Sequence, residues 1–140
     1  MKRSVVLALV LALAFSAVAF AGVQDFGKFT VDVPAGWTAN QDEETVGIVK
    51  NDNSASMSIT YDSTEGATLK ELADAFVEAL KGKNLKAEDG GYTFEFDNGN
   101  GVTSRGVLNG DKEHYALVVI TGLENAPDEV MAIVNSIQEK

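Results

Sequence analysis

No cysteine occurs in the 140 residues, and histidine and tryptophan occur once each. Without Cys there is no disulfide staple, no thiolate nucleophile and no thiol for a lipid thioether, so the domain must be held by its own core. The lone imidazole, His114, cannot build a zinc site, which wants several His or Cys ligands. There is no Gly-x-Ser-x-Gly elbow either, so nucleophilic catalysis lacks its parts. Gly-rich phosphate loops are missing, because the glycines from Gly99 to Gly110 belong to hairpin turns. Positive charge is scarce: 11 Lys and Arg against 21 Asp and Glu give a formal charge of −10. That balance argues against nucleic acid, whose phosphates demand a basic surface, and equally against anionic membrane surfaces.

One long apolar run is present, and it stands at the start. Met1-Lys2-Arg3-Ser4 reads as a short basic segment, Val5 to Phe15 is uninterrupted apolar chain, and Ala19-Phe20-Ala21 fits a small-x-small cleavage site. The run falls short of the roughly 20 apolar residues that span a bilayer. Residues 1–21 therefore read as a cleaved signal peptide and residues 22–140 as a single exported domain with no stable membrane anchor after cleavage. Removing Lys2 and Arg3 takes the charge from −10 to −12.

The clearest element of the mature chain is an amphipathic helix over Thr68 to Lys83. Leu69, Leu72, Ala73, Phe76, Val77 and Leu80 recur at spacings of three and four, and Thr68 with Glu71 makes a capping box. Gly82 offers a stop. Strand patterns surround it: Phe29 to Val33, Thr45 to Lys50, Ser56 to Tyr61, a weak Leu85 to Glu88, Tyr92 to Phe96, Val102 to Leu108, and Tyr115 to Thr121. Asn98-Gly99 and Asn109-Gly110 are hairpin dipeptides. Tyr115 to Thr121 is apolar on both sides, which predicts a central strand with cover on each face, the Trp37 region behind it. A second helix is expected from Asp128 to Lys140, capped by Asn125, with Pro127 near its start and a stripe of Val130, Ile133, Val134 and Ile137. The predicted class is α+β: an antiparallel sheet of about six strands packed against two helices on one face, a two-layer sandwich.

The stretch Phe29-Thr30-Val31-Asp32-Val33-Pro34-Ala35-Gly36-Trp37 resembles the strand and Pro-x-Gly-Trp opening of the PsbP-like superfamily. That superfamily includes DcrB-like periplasmic proteins and the Mog-type Ran-binding proteins, and the order of elements is similar across nearly the whole mature chain. The resemblance implies a fold and a non-enzymatic, accessory role. In such a family the motif residues are structural, so no catalytic residue is carried over.

The side chains that could bear chemistry are few. His114, at the head of a strand, reads as a half-exposed strand-end residue. Asn51-Asp52-Asn53-Ser54 and Asp97-Asn98-Gly99-Asn100 are oxygen-rich loops, but neither completes a calcium loop. Asp42-Glu43-Glu44 and Glu88-Asp89 read as solvated charge. Trp37, Tyr61, Tyr92 and Tyr115 could line a ligand pocket, although aromatic strand residues are more often core or rim. The expected function is an exported, periplasmic or secreted accessory or binding protein. It would act on another exported protein or a small ligand, with no catalytic, cofactor-binding or metal residue assigned. A small carboxylate-dependent hydrolase and a calcium-binding protein are the alternatives. A glycoside cleft is poorly matched, since such clefts are lined with aromatics and only one Trp is present.

Overall fold

The computed structural model describes residues 21–43, 45–88, 90–99 and 101–140. Of the expected signal segment, residues 1–21, all but Ala21 lie outside the described residues, as do Glu44, Asp89 and Asn100 of three expected loops. In chain order the strands and helices are β1 (Gly22–Asp25), β2 (Phe29–Val33), β3 (Trp37–Asp42), β4 (Thr45–Lys50), β5 (Ser56–Ser63), α1 (Leu69–Leu80), β6 (Lys83–Glu88), β7 (Gly91–Asp97), β8 (Thr103–Gly110) and β9 (His114–Thr121). A 3-10 turn (Leu123–Asn125), α2 (Pro127–Asn135) and β10 (Gln138–Glu139) complete the chain.

The strands form two sheets. Seven of them lie in the order β3-β4-β5-β9-β8-β7-β6, and three make a small sheet in the order β1-β2-β10. Every pair of neighbours is antiparallel. The class is α+β, as the alternating strands and two apolar stripes predict.

Because successive strand residues face opposite ways, β9 shows how the layers are arranged. Val118 and Ile120 enter one core with Val31, Trp37, Ile48, Ile59, Val130 and Ile133. Leu117 enters another with Ala73, Phe94, Phe96 and Leu108, and Val119 packs against it. The small sheet and α2 thus cover one face of the β3-β4-β5-β9 half. Helix α1 covers the other face, over β6, β7 and β8. Each half is locally two-layered, and the central strand is covered on both sides, as in part is β8, whose Leu108 enters the second core while Val107 packs against the first. The expectation that both helices share a face, with Leu72, Phe76 and Leu80 beside Val130, Ile133, Val134 and Ile137, is therefore corrected. Alternation shows which residues share a face, and it does not show which helix will cover them.

The capping box at α1 is present, with Thr68 Oγ1 accepting from the Glu71 amide and Glu71 Oε1 from the Thr68 amide. At the other end the left-handed residue is Lys81 (φ 55°), not Gly82. Gly82 sits in a tight place, where a Cβ would lie 3.1 Å from the Glu95 carbonyl and 3.2 Å from the Phe94 ring, so its neighbours would have to give way. Gly106 faces Phe94 across the β7–β8 ladder, and a Cβ would fall 2.4 Å from that ring. The phenyl group occupies the space that glycine leaves.

Four further expectations change. Trp37 to Asp42 and Gly22 to Asp25, which are absent from the expected strands, are both strands. The strand Phe29 to Val33 lies in the small sheet. Asn125 does not cap α2; its side-chain amide donates to the Ser54 carbonyl, and Ala126 holds the cap position. The second helix stops at Asn135, where Ser136 Oγ donates to the Ile133 carbonyl and accepts from the Asp32 amide. Gln138 and Glu139 then leave the helical path and pair with Thr30 and Phe29, covering the β2 edge.

The Pro34-Ala35-Gly36-Trp37 opening has a structural role. Gly36 supplies a positive φ of 89° for the turn, and Trp37 follows it into the core. Its indole N–H donates to Glu129 Oε2 at 3.1 Å, and Lys50 Nζ donates to Glu129 Oε1 at 2.9 Å. The Lys50 ammonium also lies 5.7 Å from the centre of the Trp37 ring. This clamp ties the first turn of α2 to the edge of the large sheet.

Candidate functional site

At the opposite end of α2 the two layers part. The gap is a half-open cavity of about 220 Å³, floored by Phe29, Ile59, Val118, Val134 and Ile137 and rimmed by Tyr61, His114, Asn109 and Glu139. These residues come from β2, β5, β8, β9, the end of α2 and β10, so the cavity lies where the beginning, middle and end of the domain meet.

The rim has defined geometry. The Tyr61 hydroxyl donates to Glu139 Oε2. The His114 ring stacks on Tyr61 with centroids 5.3 Å apart and an interplanar angle of 12°, and Phe29 tilts against the other side of the cluster at 5.9 Å from Tyr61. Burial, then the hydrogen bond to Glu139, then the charges of Glu139, Asp111 and Glu113 hold the Tyr61 hydroxyl well above its ordinary value near 10. The phenol is therefore neutral at physiological pH and acts as a donor.

The turn that presents His114 is firmly built. Asp111 Oδ1 accepts from the amides of Glu113 and His114, at 2.8 and 2.9 Å, which lowers the Asp111 pKa. Gly110 is needed there, because a Cβ would meet the His114 carbonyl at 2.4 Å. Buried Thr64 ties the turn to the loop before α1, its hydroxyl donating to the Lys112 carbonyl at 2.6 Å and its amide to that of Glu113 at 2.9 Å.

Of the residues the sequence marks out, Tyr61, His114 and Tyr115 all border this cavity. Tyr115 turns its ring to Phe76 in the second core. Trp37 belongs to the Glu129 clamp, and Tyr92 packs with the second core. The oxygen-rich loops use their acids internally. Asp52 Oδ1 accepts from the amide and hydroxyl of Ser54, and Asp97 Oδ1 from the Gly99 amide. Among the described residues, no group of three or more potential metal ligands comes together. Glu139 is the site residue that sequence reasoning misses. Its only signal is its place just past the last apolar residue, Ile137, where the chain reads as helix.

Several solved structures share this architecture, and two of them illustrate it. One is cyanobacterial PsbP (CyanoP) from Synechocystis sp. PCC 6803, at TM-score 0.54 and 11% identity, covering 86% of this chain and 94% of that one. The fold is PsbP-like. The other is a protein from Bacteroides thetaiotaomicron, at TM-score 0.52 and 12% identity over 86% of this chain; the match spans only 49% of that longer chain. No family model matches the sequence, and no curated protein matches it. Within this PsbP-like fold, no helix of the described residues is long and apolar enough to cross a membrane.

Proposed function

We propose that the mature domain is an exported, non-enzymatic accessory or binding protein that acts in the periplasm, and that the cavity between the two sheets is its binding site. The observation that carries this reading is the convergence of Tyr61, His114 and Glu139 over an apolar floor. A pocket of apolar lining with a few converging polar groups is the usual form of a small-ligand site. Export is supported by the sequence of residues 1–21, with its basic start, apolar run and small-x-small site. Kinship with DcrB-like periplasmic proteins belongs to the same proposal.

Catalysis is poorly supplied at this site. A two-carboxylate hydrolase needs a pair of acids flanking one cleft, and Glu139 is the only acid among the lining residues. His114 lines the cavity beside a phenol that stays protonated, with no serine, threonine or cysteine nucleophile in the lining.

The test is to express the precursor in a Gram-negative host and analyse the periplasmic fraction by intact and native mass spectrometry. The expected species begins at Gly22 and carries a co-purifying ligand or partner. A cell-bound product retaining residues 1–21 would sink the export reading. A mature protein that carries nothing, and retrieves nothing from a periplasmic extract, would sink the binding reading.

A further inference from the structure

Resting on the reading of this cavity as a binding site, we infer that its ligand is a small organic cation, an ammonium group carried on a compact apolar or aromatic body.

The size comes first. A volume of about 220 Å³ equals roughly seven water molecules at liquid density, and it falls below the ~300–1,000 Å³ typical of drug-sized sites. The occupant is therefore compact. Its body must be apolar, because Phe29, Ile59, Val118, Val134 and Ile137 offer no hydrogen bonds from their side chains, and a polar group placed among them would lose its water without replacement.

The charge follows from the rim. No Lys or Arg lines the cavity, and the one charged side chain that does is the Glu139 carboxylate. Asp111 and Glu113 lie close enough for their charges to act on the Tyr61 hydroxyl, so the mouth carries a negative field from three acids. A carboxylate or phosphate entering there would meet like charge and no cationic partner. An ammonium would meet complementary charge.

The geometry supplies a seat for that cation. Glu139 is exposed and takes the Tyr61 hydroxyl on Oε2, which leaves Oε1 with no hydrogen bond among the described residues. Beside it stand the stacked rings of Tyr61 and His114, with Phe29 tilted against them. Tyr61 is held between His114 and Phe29, so the charged end of the ligand lies on the Glu139 carboxylate at the edge of these rings, and the other end on the floor between β5, β9 and α2.

Three probes of equal shape separate charge from fit: 2-phenylethylamine, 2-phenylethanol and phenylacetate, each titrated into isotope-labelled mature protein and followed by NMR. The amine is expected to shift Ile59, Tyr61, Ala116, Val118 and Glu139, and to bind about fivefold tighter than the alcohol, from one partly exposed ion pair. Phenylacetate is expected not to bind. The preference should shrink as salt rises. Glu139→Gln should bring amine affinity down to that of the alcohol, with the alcohol unchanged. Ala116→Leu, at a further lining residue from β9 two positions before Val118, should fill the cavity and abolish both, with an unchanged melting curve showing that the fold is intact. An alcohol that binds within twofold of the amine overturns the cation while leaving the cavity as a site. Absence of shifts at these residues with all three probes overturns both. Shifts confined to other acidic parts of the surface overturn the seat at Glu139.

Discussion

The two halves of the large sheet are covered in different ways. Helix α1 closes the β6-β7-β8 half and follows directly before it in the chain, so this half is built from one stretch, residues 69–110. The β3-β4-β5 half is covered by segments from both ends of the domain: β2 from one, and α2 with Ile137 from the other. Local construction gives a filled core, with Phe94 against Gly106 and Ala73 fully buried. Composite construction leaves a seam, and the cavity opens along it. The strand common to both is β9. The comparison teaches that the candidate site lies in the half assembled from distant segments, on core residues Phe29, Ile59 and Val118, and that one central strand joins it to the locally built half.

The strongest way to break this comparison is to damage the sealed half and watch the composite one. Phe94→Ala should destabilise the domain by about 3–5 kcal/mol, the usual range for a buried aromatic. The matched change in the other half, Ile133→Ala, should lose about 2–5 kcal/mol. Trp37 is the only tryptophan and belongs to the composite core, so its fluorescence reports on the half that Phe94→Ala does not touch. Urea unfolding of Phe94→Ala followed by fluorescence and by far-UV circular dichroism should give coincident curves, because β9 couples the halves. Separated transitions would show that the halves are independent.

Next in size is the clamp at the closed end of the seam. Trp37→Phe removes the indole donor to Glu129 together with part of a buried ring, and should lower stability by less than Phe94→Ala does. The clamp also has a pH signature. The Lys50 hydrogen bond first, and the Trp37 hydrogen bond second, hold the Glu129 carboxyl below its ordinary value. A depressed carboxylate contributes stability that is present above its unfolded pKa and is lost as pH falls through the folded one. Wild-type stability should therefore decline on acidification more steeply than that of Glu129→Gln. Equal slopes in chemical melts between pH 6 and 3 would remove the clamp from the account.

Thr68→Ala tests the sealed half more gently. Loss of the capping hydroxyl should lower stability by about 1 kcal/mol, with no change in the environment of Tyr61 or His114. NMR shifts reaching the cavity rim would show that the two halves are less separate than the packing implies.

The sealed half was the more legible in the sequence, for the same reason that it is sealed. Thr68, Glu71 and the Leu72-Phe76-Leu80 stripe act within a few residues of one another, so periodicity and capping chemistry reveal them. Tyr92, Phe94 and Phe96 alternate cleanly because one face is buried and the other wet. Legibility failed where a residue's role depends on a distant partner. Thr38, Asn40 and Gln41 show little alternation, because an edge strand with an exposed end does not demand it. Gln138 and Glu139 are strand only because β2 needs a partner there, and Val134 with Ile137 had already set a helical rhythm. Tyr61 and His114 were visible as aromatic and ionisable residues. Their stacking, and the arrival of Glu139, exist only after the chain ends have met.

The smallest effect concerns that meeting point, and it separates a latch from a core contact. Glu139 is exposed, so its bond with Tyr61 is screened by water, and Tyr61→Phe should change stability at pH 7 by less than about 1 kcal/mol. The difference should appear in alkali. The folded state holds the Tyr61 hydroxyl above its ordinary value near 10, with burial the largest cause and Glu139 the next. A raised pKa contributes stability that is full below the unfolded value and is lost as pH climbs toward the folded one. Above about pH 10 the unfolded chain sheds a proton that the folded chain keeps, and the native state weakens. Wild type should therefore lose stability between pH 9.5 and 11 faster than Tyr61→Phe, which differs from it by that one hydroxyl. Parallel melting curves across that window would mean that Tyr61 ionises as freely in the fold as outside it. The rim would then be an open surface, and the seam would lose the feature that sets it apart from the sealed half.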